Sequence, residues 1–285
     1  MNCIRTLPHM RELYKRFSGD RFVLVGVHTP EFAFEKDPEN VASAVKRFGI
    51  EYPVAIDSEN ETWKLYGNQY WPRQTLIDAT GRVRWEHAGE GDYDKMGEQI
   101  MLLLKEAGEN VTNTATAEKT KGSWKERLGL ESKRITPEIY VGSLRSRGFG
   151  NGHTNTPGTH TKFVDSGEHQ QDIPYLDGEW IQNPEFVAHV TSDPGYIALK
   201  YTAKNANAVL GSSTGKPVRV NVELDGRAMD KSQAGADVQW ERDSSYIMVS
   251  DNRLYDIVRT KNNETHELKL VTESNGLCLY TYTFG

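Results

Sequence analysis

Cys3-Ile4-Arg5-Thr6-Leu7-Pro8-His9-Met10, followed by the apolar run Phe22-Val23-Leu24-Val25-Gly26-Val27 and later by Tyr70-Trp71-Pro72, decides how the first half of this chain is read. Leu7, Met10, Leu13, Tyr14 and Phe17 recur at helical spacing, and Ser18-Gly19-Asp20 ends that helix. The apolar run behind it is of the kind buried on both faces of a sheet, and Pro30 closes it. Working outward, residues 41–48 predict a second helix, 53–57 a brief strand and 62–66 a helical turn. Residues 74–78 and 83–87 flank a Gly-containing turn and predict a hairpin. Asp92 is the expected N-cap of a last helix that reaches Lys105 with Met96, Ile100, Leu103 and Leu104 on its apolar face. Helix and strand thus alternate through residues 5–108, the signature of an α/β layer fold.

The remaining chain changes character. Residues 109–134 are rich in Thr, Asn, Glu and Lys and read as a linker, with room for a short helix around residues 124–130. Beyond them the period becomes two: Val218, Val220, Val222 and Leu224 alternate with polar residues. Further strands are expected at 138–141, 186–190, 196–201, 246–249, 254–258 and 277–284. Many short strands without intervening helices predict an all-β, jelly-roll-like sandwich over 135–285, against an α/β domain over 1–108. A chain of 285 residues is also longer than one compact core usually serves.

Composition removes several functions. Apolar residues at 37% and charged residues at 26% are ordinary for a soluble domain, and no apolar run approaches the roughly 20 residues of a membrane span. A net charge of −6 with scattered Lys and Arg argues against nucleic acid. Cys3 and Cys278 are the two cysteines, too few for a disulfide framework. Period two puts Cys278 on one face with Tyr280, Tyr282 and Phe284, the setting of a packed core thiol. The stretch Gly148-Phe149-Gly150-Asn151-Gly152-His153, with His160 and His169, lacks the ending of a phosphate loop and the close histidine spacing of a zinc site, so neither metal nor cofactor is expected.

The amino-terminal motif, with His28-Thr29-Pro30-Glu31-Phe32, Tyr70-Trp71-Pro72 and Leu76-Ile77-Asp78, resembles thioredoxin-like thiol-disulfide oxidoreductases of the TlpA and DipZ-like type. The resemblance extends to the soluble C-terminal region of DipZ-like proteins, and it covers nearly the whole chain. It implies that Cys3 takes the second, resolving position of a Cys-x-x-Cys pair, with Trp71 preceding a cis Pro72 beside the redox site. It also implies protein thiols and disulfides as substrates, a membrane redox partner, an extracytoplasmic location, and a carbohydrate-binding-module-like sandwich able to engage a glycan. The attacking cysteine would stand immediately before Met1, and the strand leading into the motif would precede it. The expectation is therefore a longer natural polypeptide reading Cys-Met-Asn-Cys, Met1 being internal, a miscalled start or the edge of an excised piece. A naturally truncated, redox-dead protein is the alternative, and chains joined through Cys3 or by exchanged N-terminal segments are a third.

His28 and Glu31 are secondary candidates, able to act on a thiol proton if the fold brings them to the redox site; a hydrogen-bonded loop histidine and a solvated carboxylate are the plainer readings. For a glycan, exposed aromatic platforms would be needed, and Trp180, Trp240, Tyr246 and Tyr255 are the candidates, each equally at home in a core. A noncatalytic glycan- or protein-binding protein is the competing function.

Overall fold

The computed structural model describes residues 2–19, 21–109, 134–152 and 157–285. The chain divides into two compact units, residues 1–122 and 123–285. The expected linker falls almost wholly outside the described residues, as do Met1, Asp20, Trp124 and His153.

The first unit runs α1 (Asn2–Phe17), β1 (Gly26–His28), α2 (Pro38–Arg47), β2 (Val54–Ile56), α3 (Glu61–Leu65), β3 (Arg73–Ile77), β4 (Val83–Ala88) and α4 (Tyr93–Glu106). Asp37 caps α2 by accepting the Glu39 amide, and Pro38 occupies the first turn, where its missing N–H costs nothing. The N-cap position of α4 is Asp92, but its backbone is left-handed and its side chain does not cap the helix; the carboxylate pairs with Lys95 at 3.1 Å instead. Met10, Leu13 and Phe17, one stripe of α1, pack with Met96 and Ile100 of α4 and with Tyr52, while Phe22, Leu24, Leu76 and Trp85 close the core from the strand side.

The strand layer corrects one expectation. The run from Phe22 to Val27 is not a strand buried on both faces: the ladder covers Gly26–His28, and Val23, Val25 and Val27 are 73%, 49% and 47% exposed. Side chains alternate, so Phe22 and Leu24 enter the core while the valines face outward. The reason lies in the pairing. β1 lies parallel to β2, β3 lies antiparallel to β4, and these are two separate two-stranded pieces. A strand with one ladder neighbour and one covered face buries half of its side chains.

The second unit is all β among its described strands: β5 (Ile139–Tyr140), β6 (His160–Phe163), β7 (Pro174–Gln182), β8 (Val187–His189), β9 (Gly195–Ser212), β10 (Val218–Leu224), β11 (Arg227–Ala228), β12 (Gln239–Glu241), β13 (Ser244–Val249), β14 (Arg253–Thr272) and β15 (Leu277–Phe284). They form one antiparallel ladder in the order β12-β13-β10-β14-β9-β15-β8-β7-β6, and β9 also pairs with β7, closing a ring of strands. The two long strands wrap around the core because their mutual register slips at Asp256/Val258 and at Arg259/Glu264. Trp180, Tyr201, Tyr255 and Tyr282 are fully buried among Leu, Ile and Val side chains. β15 is buried along its whole length, so the period-two contrast expected around Cys278 is absent.

Candidate functional site

Cys3 stands in the first turn of α1 and is half-buried. The Thr6 hydroxyl donates to the Cys3 carbonyl at 2.7 Å. Pro8, inside the same helix, has no N–H to offer the carbonyl one turn back. Two residues beyond Cys3, the Arg5 guanidinium donates to both carboxylate oxygens of Glu90, at 2.6 and 2.7 Å. The neighbouring amide of Gly89 donates to the Pro72 carbonyl at 2.8 Å. The start of α1 and the Pro72 turn are thus tied to the same two residues after β4.

The Trp71–Pro72 bond is cis. Trp71 donates its indole N–H to the Thr29 carbonyl at 3.2 Å, and its ring lies 4.1 Å from that of Trp63. The Thr29 hydroxyl donates to Asp57 at 3.1 Å, and Asp57 also accepts the amides of Thr62 and Trp63 at 2.9 Å. Burial alone would raise the Asp57 pKa, but these donors outweigh it and hold the carboxyl below its usual range. The loop after β1, the end of β2, α3 and the Pro72 turn therefore form one hydrogen-bonded assembly.

His28 and Glu31 converge on a residue that the sequence does not single out. A ring nitrogen of His28 donates to the Glu35 carbonyl at 3.0 Å, and the Glu31 amide donates to the Glu35 carboxylate at 2.7 Å. Burial pushes the Glu35 pKa up and the Glu31 charge adds to the shift, although backbone donors oppose it. Nothing in local spacing marks Glu35. Asp57 could have been found, because an Asp four residues before a helical turn is a natural acceptor for its first amides.

Burial removes two of the four expected aromatic platforms. Trp180 and Tyr255 are 0% exposed and belong to the core. Trp240 packs against that core and donates to the Met229 carbonyl at 3.1 Å. Tyr246 is half-buried, with the Arg219 guanidinium 3.9 Å from its ring centroid. Alternating aromatics in a sandwich fill its interior because a ring removes more apolar surface from water than any aliphatic side chain. Cys278 is likewise buried, and desolvation pushes its thiol up to about 11.

His160 pairs with Glu179 at 2.6 Å on the surface of β6 and β7. His169 is buried between two carboxylates, Asp165 at 2.7 Å and Glu267 at 2.8 Å, and Asp165 also accepts the Tyr196 hydroxyl at 2.8 Å. Among the described residues no cluster of His, Cys, Asp and Glu is arranged to hold a metal ion.

A cysteine opening a helix, a tryptophan–cis-proline turn and an α/β core define the first unit as a thioredoxin-like, thiol-disulfide oxidoreductase-like module, followed here by an all-β domain. The model of the family described as "Thioredoxin like C-terminal domain" matches residues 136–285, more than half of the chain. The chain belongs to that family, within the TlpA/DipZ-like group of thioredoxin-like proteins. Protein DipZ of Mycobacterium tuberculosis is 32% identical over 293 aligned positions, covering 100% of this chain and 37% of that protein. The thiol-disulfide oxidoreductase ResA of Halalkalibacterium halodurans is 30% identical over 105 positions, covering 36% of this chain and 55% of its own. Among solved structures, a thiol:disulfide interchange protein DsbE from Chlorobium tepidum aligns at 25% identity over 36% of this chain and 71% of its own, with a TM-score of 0.33. The chain thus spans little more than a third of the length of its DipZ relatives.

Proposed function

We propose that the first unit is a thiol-disulfide exchange module in which Cys3 holds the resolving position and protein thiols or disulfides are the substrates. The observation that carries this reading is the placement of Cys3 at the start of α1, whose Arg5–Glu90 pair and the Gly89–Pro72 hydrogen bond share one turn. In dithiol exchange one thiolate attacks a substrate disulfide and a second thiol displaces it from the mixed disulfide. Cys278, the second cysteine of these 285 residues, is buried, so this reading expects weak turnover from them alone.

The relatives named as thiol-disulfide oxidoreductases support that activity, and the resemblance to DipZ supports an extracytoplasmic setting with a membrane redox partner. No helix among the described residues is long and apolar enough to cross a membrane. The all-β domain is read as a jelly-roll-like, carbohydrate-binding-module-like sandwich, supported by its antiparallel ladder wrapped on two long strands.

Insulin reduction by dithiothreitol provides the test. The 285-residue chain should barely exceed the reductant's own rate, and the same chain extended by a cysteine immediately before Met1 should accelerate it at least tenfold, with Cys3→Ser in the extended chain cancelling the gain. No acceleration from the extended, folded chain would overturn the oxidoreductase reading in favour of a noncatalytic binding role.

A further inference from the structure

The second unit holds a cleft of about 840 Å³ between β5, the 145–150 turn and the segment 170–175, with Arg134, Arg145 and Arg147 along its lining. A volume of that order suits a ligand of two or three small rings. The whole chain carries a net charge of −6, so three guanidinium groups collected in one cleft run against its overall balance.

The two carboxylates of the cleft are already engaged. Glu138 accepts the Tyr140 hydroxyl at 3.0 Å, and Asp172 accepts the Thr136 hydroxyl and the Gln171 amide at 2.5 and 3.0 Å, with Arg134 no nearer than 3.9 Å. Arg145 lies flat on the Tyr140 ring, 3.8 Å from its centroid. Arg147 is exposed at the cleft. Gln170 lines the same cleft and is exposed.

The turn that carries Arg145 and Arg147 is held in place. Ser143 and Leu144 donate their amides to the Asn183 and Pro184 carbonyls at 2.9 and 3.0 Å, and Gly150 donates to the Pro174 carbonyl at 2.9 Å. A Cβ at Gly142 would sit 2.1 Å from the Glu185 backbone, and one at Gly150 would sit 2.1 Å from the Tyr175 ring, so both positions exclude a side chain. Arginines fixed on a rigid turn recognise an oxyanion at low conformational cost.

We propose that this cleft binds a polyhydroxylated anion, a sugar acid or a sugar phosphate. Guanidinium groups bind the carboxylate or phosphate. Hydroxyl groups, which both donate and accept, suit a lining in which Glu138, whose carboxylate keeps acceptor capacity beside its bond from Tyr140, stands with Gln170 and Arg147; inorganic phosphate carries at most two hydroxyls. This site is distinct from Trp180, Trp240, Tyr246 and Tyr255, and it does not depend on the redox reading of the first unit.

Titration calorimetry on the full chain tests the proposal with digalacturonic acid, glucose 6-phosphate, cellobiose and inorganic phosphate. At least one of the two acidic sugars should bind, and which one does identifies the anion; cellobiose and inorganic phosphate should each bind at least tenfold more weakly. Arg147→Gln should weaken the acidic sugar at least tenfold and Gln170→Ala several-fold, both with an unchanged melting temperature because both side chains are exposed. Silence from both acidic sugars, equal binding by cellobiose or phosphate, or an Arg147→Gln variant that binds like the parent would each overturn it.

Discussion

Arg5 grips Glu90 across 85 residues of sequence through two hydrogen bonds at 2.6 and 2.7 Å, fixing the start of the cysteine-bearing helix to the turn that holds the Pro72 carbonyl. Both side chains are about a third exposed, so solvent screens the pair and its coupling should amount to about 0.2–1 kcal/mol. A double-mutant cycle of Arg5→Gln and Glu90→Gln, read by urea unfolding, measures it. A coupling near zero would mean that the pair positions nothing.

The two thiols should differ sharply in reactivity. Cys3 is half-buried at a helix start, whereas Cys278 is 1% exposed with its pKa pushed up by burial to about 11. At pH 8 only about one in a thousand Cys278 side chains would be thiolate even if reached. A colorimetric disulfide reagent should therefore titrate one thiol in the folded chain and the second only in denaturant, and Cys3→Ser should remove the fast phase.

A pH dependence follows from His169. Burial lowers its pKa, but hydrogen bonds and charge from Glu267 and Asp165 prevail and raise it. A raised folded value contributes stability that is fully present below the unfolded pKa of about 6.5 and is lost as pH rises through the folded value. Asp165 behaves oppositely. Burial raises its pKa, His169 and other donors lower it more, and its contribution is lost as pH falls below the unfolded value of about 3.9. The second unit should gain most from this cluster between about pH 4 and 6.5. His169→Gln should flatten the alkaline decline, measured by urea unfolding across pH.

Burial also separates the aromatic residues. Trp180→Ala should destabilise the second unit by about 3–5 kcal/mol because it empties a fully buried site. Tyr246→Ala, at a half-buried ring covered by Arg219, should cost less than half as much. Comparable losses in thermal melts would contradict the core assignment of Trp180.

The outward valines should be replaceable. Val23→Thr with Val25→Lys changes side chains that are 73% and 49% exposed, so stability should move by no more than about 0.5 kcal/mol per site, while self-association of the exposed edge should fall. Sedimentation and urea unfolding give the two readings.

Much of the fold could be read locally. Helical spacing located α1, α2 and α4, the Gly-containing turn located β3 and β4, and alternation located β10. The lengths of β9 and β14 were not legible, because Asn205, Asn207 and Lys261-Asn262-Asn263 look like breaks, whereas long-range pairing carries both strands through them. β6 and β7 escaped notice for a related reason: the charge and glycine in Pro174–Gln182 mask a strand whose burial depends on three neighbours.

The amino-acid sequence by itself determined the two-part division of character, the cysteine at a helix start, the Trp-Pro turn and the resemblance to thioredoxin-like oxidoreductases, since all rest on residue types at short spacings. The tertiary structure alone decided which groups meet. It set Arg5 against Glu90, gathered Thr29, Asp57 and Trp71, enclosed His169 between two carboxylates, put Trp180 and Tyr255 in the core and collected Arg134, Arg145 and Arg147 in one cleft. Burial and long-range charge pairing depend on how separate strands stack in space, and no local period encodes that.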